Sequence, residues 1–248
     1  MEKNNRGLLI TLIVLLSIIA LLLSGIFTFT LISGTRSFKS FIPTKSQTVF
    51  DESYSTEDIK NITIDNNAGD IIIKNSKDGK IRVTANGNTD DEFSAAADGS
   101  TLNISNEIMN IRSFFIFGSL KKGVDIVLYL PEELDSLNIN SSFGNVKIED
   151  KLITSLTIDN DMGNIEAEKL GGSFDLNTNM GNIEIEEINI TADSKAVSNM
   201  GNIDIEKTNK INIDASVSMG NSDVKDNTPN ADITLTVKTD MGDIEIND

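Results

Sequence analysis

Acidic side chains recur in the second half of the sequence at fixed distances after a glycine. Three residues after successive glycines stand Glu166, Glu184, Asp204, Asp223 and Glu245, and five residues after them stand Glu149, Glu168, Glu186 and Glu206. If the repeats stack as strands, like charges lie ~4.8 Å apart, where each pair costs about 1 kcal/mol even in water. Ca²⁺ or Mg²⁺, which favour carboxylate oxygens, would relieve that repulsion. The pattern therefore predicts a divalent cation ladder along Glu166, Glu184 and Asp204.

Two other interpretations of these acidic columns stay open. The columns could bind a cationic peptide or polymer, or they could form a solvated, repulsive face that keeps strands of different molecules from pairing. The Gly-rich nonapeptide of calcium-binding β-rolls does not occur in the sequence, which weighs against metal. Ca²⁺ is the one cofactor that the residues suggest, and only on the first interpretation.

Composition excludes several kinds of chemistry. The 248 residues include no Cys and no His, so disulfides, imidazole zinc sites and Ser-His-Asp triads cannot form. A net charge of −17, from 21 Lys and Arg against 38 Asp and Glu, argues against nucleic acid as a partner. Paired carboxylates alone, without an aromatic-lined cleft, predict no glycosidase. We therefore expect a protein that is not an enzyme.

An aromatic segment between basic residues is the third candidate. Phe114, Phe115 and Phe117 lie between Arg112 and Lys122 in an otherwise acidic region. Such a segment could touch a membrane surface or a protein partner. Alternatively it forms a strand or an end cap that packs on the rest of the domain.

The N-terminal region predicts how these residues are tethered. Residues 8–32 form an uncharged apolar run of about 25 residues, longer than the ~20 residues that span a bilayer as a helix. We predict a short cytoplasmic tail (1–7), a transmembrane helix (8–33), a juxtamembrane linker (34–54) and an extracytoplasmic β-domain (55–248). On this interpretation the protein is a single-pass component of the cell membrane; the alternative is that the apolar run is a cleaved signal peptide, although no typical cleavage site follows it.

A repeat of about 19 residues decides the expected fold. Gly-Asn or Gly-Asp precedes a β-branched residue in most copies, and from Gly144 onward the glycines step by 19, 18, 20, 19 and 22 residues. Apolar residues alternate with polar ones on both sides of each glycine, which is typical of two short strands joined by a turn. The aligned glycines are Gly69, Gly144, Gly163, Gly181, Gly201, Gly220 and Gly242.

One repeat cannot bury its apolar stripe, whereas stacked repeats can. The near-constant period favours a parallel β-solenoid of two-strand coils over a series of independent hairpins. Three further columns are assigned structural roles. The residue before the glycine, usually Met, is expected to fill the core at the corner. The Asn or Asp after the glycine, and the polar residue three before it, are expected to satisfy the turn.

The repeat is degenerate between Gly69 and Gly144. Alternation persists at Ile81–Val83, Leu102–Ile104 and Val124–Leu130, so imperfect coils are expected there. Residues 85–99 and 112–123 are expected to be loops or excursions from the stack.

Residues 124–150, VDIVLYLPEELDSLNINSSFGNVKIED, carry a resemblance to a known family. A strand, Leu-Pro, a short link and a Gly-Asn-Val corner follow one another, and similar corners recur behind an N-terminal apolar segment. This resembles a bacterial putative-adhesin family of β-strand-repeat proteins, a domain of unknown function, over about residues 55–248. The resemblance implies a cell-envelope location and a β-solenoid-like fold, and it implies no activity, cofactor or catalytic residues.

The sequence thus predicts an all-β parallel solenoid behind one transmembrane helix. Its expected role is a non-catalytic envelope module, adhesin-like, that binds or scaffolds an envelope protein or polymer. Two alternatives are a regulatory or stress-sensing membrane protein that acts through a partner, and a carbohydrate-active solenoid enzyme.

Overall fold

A computed structural model describes residues 47–87, 92–107, 123–131, 133–149, 151–225 and 227–247. All regular structure in these segments is β-strand. The strands are β1 (Gln47–Tyr54), β2 (Asn61–Asn66), β3 (Ile71–Asn75), β4 (Ile81–Gly87), β5 (Glu92–Asp98), β6 (Thr101–Glu107), β7 (Asp125–Leu130), β8 (Glu133–Phe143), β9 (Val146–Ile148), β10 (Lys151–Met162), β11 (Ile165–Met180), β12 (Ile183–Ile190), β13 (Ser194–Met200), β14 (Ile203–Ile205), β15 (Asn212–Met219), β16 (Ser222–Val224), β17 (Thr234–Met241) and β18 (Ile244–Ile246).

Each repeat forms one rung, which we define as a first strand, a glycine corner and a second strand. Alternate residues of both strands point inward, so Leu156 and Ile158 before Gly163 are buried, as is Ile165 after it. The corresponding residues of the other rungs lie above and below them and form one continuous hydrophobic cluster. The predicted solenoid-like stack of two-strand coils is therefore confirmed for the described part of the chain.

The rungs do not stack in chain order. The first strands follow one another as β6, β2, β8, β10, the end of β11, β13, β17 and β15. The second strands follow as β7, β3, β9, the start of β11, β12, β14, β18 and β16. The β17–β18 rung is thus inserted between two rungs that precede it in the sequence.

The glycine corner fixes the close approach of neighbouring rungs. Gly163 has a φ of 143°, a conformation that side chains with a Cβ rarely adopt. A Cβ at this position would also collide with the carbonyl oxygen of Gly144 in the rung below. Both constraints explain why the repeat keeps a glycine there.

Two polar columns stabilise the corners, as predicted. Three residues before the glycine, buried side chains donate to glycine carbonyls, as Thr178 Oγ1 does to Gly163 (3.2 Å) and Ser198 Oγ to Gly181 (2.9 Å). One residue after the glycine, each side-chain oxygen accepts a hydrogen bond from the backbone N–H of the next rung. In each of the following pairs the backbone N–H of the first residue donates to the side-chain Oδ1 of the second: Asn145 to Asp70, Asn164 to Asn145, Asn182 to Asn164, Asn202 to Asn182, Asp243 to Asn202 and Asn221 to Asp243.

The strands at the N-terminal end of the stack differ from three of our expectations. Strands β1–β4, β4–β7 and β5–β6 pair antiparallel, so the sheet is not parallel throughout. Residues 47–54, assigned to the linker, form β1, and part of the expected loop at 85–99 forms the end of β4 and all of β5. Of these pairs only β5–β6 is a hairpin, closed by the short turn at residues 99–100. The β1–β4 and β4–β7 pairs join strands that are distant in the sequence, which local alternation does not indicate.

The methionine column is not in the core, contrary to our expectation. Met180, Met200 and Met241 are 42, 42 and 41% exposed, and Met219 is 62% exposed. Strict alternation would place them inward, but the chain already bends at this position to enter the glycine corner. The alternation therefore breaks, and Met180 lies at the surface together with its preceding neighbour Asn179.

The described residues contain no helix that is both long and apolar enough to cross a membrane. The predicted transmembrane segment, residues 8–33, lies outside the described part of the chain. So does the aromatic segment with Phe114, Phe115 and Phe117.

Candidate functional site

The carboxylates three residues after Gly163, Gly181, Gly201, Gly220 and Gly242 form a single row across five rungs. Strand register places Glu166 beside Glu184, Glu184 beside Asp204, and Asp204 beside Glu245. Asp223 lies beside Glu245 at the outer end. The three residues predicted to hold a cation are therefore consecutive members of what we call the carboxylate row: Glu166, Glu184, Asp204, Glu245 and Asp223.

Lysines lie at the two ends of the carboxylate row. Lys147 Nζ is 4.0 Å from Glu166, and Lys225 Nζ is 3.7 Å from both Asp223 and Glu245. Within the described part of the chain, the two central members, Glu184 and Asp204, form no ion pair. The negative charge is consequently least compensated at the centre of the row.

Asp204 shows what this crowding costs. Its Oδ1 atom is buried and has no hydrogen-bond partner among the described residues. Burial raises the pKa of Asp204 above its ordinary value, and the neighbouring carboxylates of Glu245, Glu206 and Glu184 raise that pKa further. Desolvation and like charge both disfavour the ionised form. This carboxylate is the position where a bound cation would relieve the most repulsion.

The second acidic column lies beside the first. Glu168, Glu186 and Glu206 line the same open surface depression as Glu166, Glu184 and Asp204, with Ala167 and Ile185 between them. The prediction that both columns share one solvent face is therefore confirmed. The two columns together concentrate negative charge on one face of the stack.

No group of three or more acidic residues in the described segments has an arrangement that could hold a metal ion. This geometry gives the cation ladder along Glu166, Glu184 and Asp204 no support, and the ladder stays a prediction.

Comparison with known proteins places this stack in a family. The model of the family described as Toastrack DUF4097 matches residues 59–247. The chain belongs to the Toastrack family. This membership confirms the resemblance carried by residues 124–150. The match spans every rung, including β6–β7 and the displaced β17–β18.

Two solved structures are similar to this chain at low sequence identity. A putative cell adhesion protein from Clostridium sporogenes is 10% identical, with a TM-score of 0.51 over 82% of this chain and 99% of that one. A putative adhesin from Bacteroides fragilis is 18% identical, with a TM-score of 0.49 over 82% of this chain and 98% of that one. A search of curated proteins gave no match. At 10% identity, the likeness to the Clostridium sporogenes protein concerns the fold alone.

Sequence reasoning missed two features of this Toastrack domain. It grouped the acidic residues correctly but not in their spatial order, since Glu245 lies between Asp204 and Asp223. It also assigned the methionines to the core. Residue size gave no signal for the second, because the buried column seven residues before the glycine varies as widely, from Ser194 to Phe174.

Proposed function

We propose that the chain is a non-catalytic, adhesin-like binding or scaffold module of the bacterial cell envelope. Residues 8–33 would anchor it in the membrane, and the Toastrack domain would lie on the extracytoplasmic side. Membership of the Toastrack family and the uncharged run of residues 8–32 support this proposal.

The carboxylate row is the observation that carries the binding function. Five carboxylates at successive rungs, joined by a second acidic column, present charge at a regular spacing of ~4.8 Å along the stack. A partner that matches this pattern is extended and carries repeated positive charge, such as a cationic envelope polymer or a basic protein segment. Electrostatic complementarity of this kind sets which partner binds and how fast it associates.

Binding to isolated bacterial envelopes tests this function. The full chain in detergent micelles is expected to sediment with envelopes, and Glu184→Gln with Asp204→Asn is expected to weaken that binding several-fold. The matched control neutralises Glu57 and Asp58, two exposed acids in the turn after β1, and leaves binding unchanged. Equal loss in both double variants would show that net charge, and not the row, is responsible.

A second experiment separates the proposal from a regulatory role. If the domain binds as an envelope module, exchanging residues 8–33 for an unrelated transmembrane helix preserves envelope binding. If the protein acts through a partner of its membrane segment, the exchange abolishes function while the domain stays folded. Protease accessibility of the domain in intact cells tests its extracytoplasmic location.

A further inference from the structure

Five of the seven methionines form one row along the corner of the stack. Strand register pairs Met162 with Met180, Met180 with Met200, and Met200 with Met241, and Met219 pairs with Met241 at the outer end. The side chains of Met180, Met200, Met241 and Met219 are each at least 41% exposed. We call this set the methionine row: Met162, Met180, Met200, Met241 and Met219.

The spacing of the row suits a shared metal ion. Neighbouring strands lie ~4.8 Å apart. The zinc–sulfur bond in proteins is ~2.3 Å long, and with bonds of that length two sulfurs on one ion are at most ~4.6 Å apart. Methionine has three rotatable side-chain bonds. Sulfurs on two or three adjacent rungs can therefore converge on one ion while the backbone stays in place.

The chemistry of the donors selects the ion. Thioether sulfur is a soft, uncharged ligand that favours Cu(I) over Ca²⁺ or Mg²⁺. With no Cys and no His in the sequence, thioethers are the only soft side-chain ligands available. Asp161, directly before Met162, adds a negative charge beside the row. Asp240, directly before Met241, lies 3.6 Å from Lys238 Nζ, so its charge is partly compensated.

The side chains beside the row hold its spacing. Asn179 Nδ2 donates to Asp161 Oδ1 (2.9 Å), and Asn199 Nδ2 donates to Asn179 Oδ1 (2.8 Å). These hydrogen bonds tie together three consecutive rungs at the positions directly before Met162, Met180 and Met200. The methionines are thus carried on a rigid edge. We propose that the methionine row is a binding site for Cu(I).

Silver titration followed by NMR tests the proposal. Ag(I) is a redox-stable substitute for Cu(I), and the full chain is labelled at the methionine methyl carbon in chloride-free detergent buffer. The methyl signals of Met180, Met200 and Met241 are expected to shift first, before those of Met1 and Met109, which lie outside the row. Seven signals that shift together would show non-specific binding and overturn the proposal.

Leucine variants separate a metal site from an apolar contact surface, because leucine keeps the volume and removes the sulfur. Met180→Leu, Met200→Leu and Met241→Leu combined are expected to weaken Ag(I) binding about tenfold or more. Met109→Leu is the matched control and leaves it unchanged. If the triple variant loses its β-sheet circular dichroism, the single variants Met200→Leu and Met241→Leu replace it. Undiminished affinity in folded variants would overturn the proposal.

The pH dependence of binding gives an independent readout. Thioethers do not titrate, so Ag(I) affinity is expected to stay constant between about pH 5 and pH 8. Asp204→Asn, which changes the carboxylate row, is expected to leave Ag(I) affinity unchanged. A competition assay with a colorimetric Cu(I) chelator under reducing conditions completes the test. Failure of the protein to take Cu(I) from the chelator, or loss of Ag(I) affinity in Asp204→Asn, would contradict the assignment.

Discussion

The side-chain oxygen of Asn202 accepts a hydrogen bond of 2.9 Å from the backbone N–H of Asp243, 41 residues further along the chain. In the rungs from Gly144 to Gly201 the same contact joins residues 18 to 20 positions apart. Asp243 in turn accepts a hydrogen bond from the backbone N–H of Asn221 (2.8 Å). The β17–β18 rung therefore occupies an interior position, and the β15–β16 rung lies at the end of the stack.

Hydrogen exchange is expected to follow this spatial order. Strand β17 is paired on both sides, with β13 and β15, whereas β15 is paired with β17 alone among the described strands. Backbone amides of Val237 and Thr239 should exchange more slowly than those of Ala215 and Val217, because opening β17 disrupts two ladders. Equal protection of the two strands, measured by mass spectrometry, would contradict the inserted position.

Gly163→Ala is expected to destabilise the domain by more than about 2 kcal/mol. Its Cβ would collide with the carbonyl of Gly144, and its φ of 143° suits only glycine. Gly79→Ala is the control, since Gly79 also has a positive φ but open space around it, and it should cost only about 1 kcal/mol. Urea unfolding of both variants measures the difference, and similar losses would show that close packing of the rungs is not responsible.

Asp204→Asn is expected to raise the melting temperature at neutral pH. Because the folded state raises the pKa of Asp204 above 3.8, its protonated form is favoured, and that stability is present below about pH 4 and lost as pH rises through the folded-state pKa. The variant should therefore gain up to about 1 kcal/mol at pH 7, and this gain should shrink as pH falls and vanish below the ordinary pKa of 3.8. Asp214→Asn, at an exposed position outside the carboxylate row, serves as the control. A pH-independent gain would exclude electrostatic relief as the cause.

A calcium titration tests the predicted cation ladder. If Ca²⁺ binds along Glu166, Glu184 and Asp204, millimolar calcium should raise the melting temperature by about 2–4 °C, the shift that ~1 kcal/mol gives in a domain of this size. Sodium chloride at equal ionic strength should produce less, and Glu184→Gln should remove the difference. No excess effect of calcium over sodium would leave the row as a repulsive or polymer-binding face without metal.

Much of the rung was predictable from the sequence. Alternation around Gly163 and its counterparts identified the buried columns, because a period of two is visible in any one strand. The acidic columns followed from the same alignment, and so did the polar column at Thr178 and Ser198. Each of these features depends on local spacing, which the sequence records directly.

The order of the rungs was not predictable in the same way. Every rung presents the same corner, the same Asn or Asp contact and the same apolar columns to its neighbours, so Asp243 fits above Asn202 as well as Asn221 would. The period of the repeat shows which residues form each rung, but it does not show the order in which the rungs stack. The exposure of Met180 and Met200 was hidden for a different reason, since the bend at the corner interrupts the alternation that the prediction extended.

The inserted rung also constrains how the domain can assemble. When the chain emerges from a ribosome or a translocation channel, β15–β16 appears before β17–β18, yet it must finish one layer further out. The β15–β16 rung either stays unpaired until β17–β18 is made, or it first pairs with β13–β14 and is then displaced by β17–β18. This end of the stack therefore cannot close by simple stepwise addition, and a delay in synthesis between residues 224 and 234 would prolong the life of an incompletely layered, association-prone intermediate.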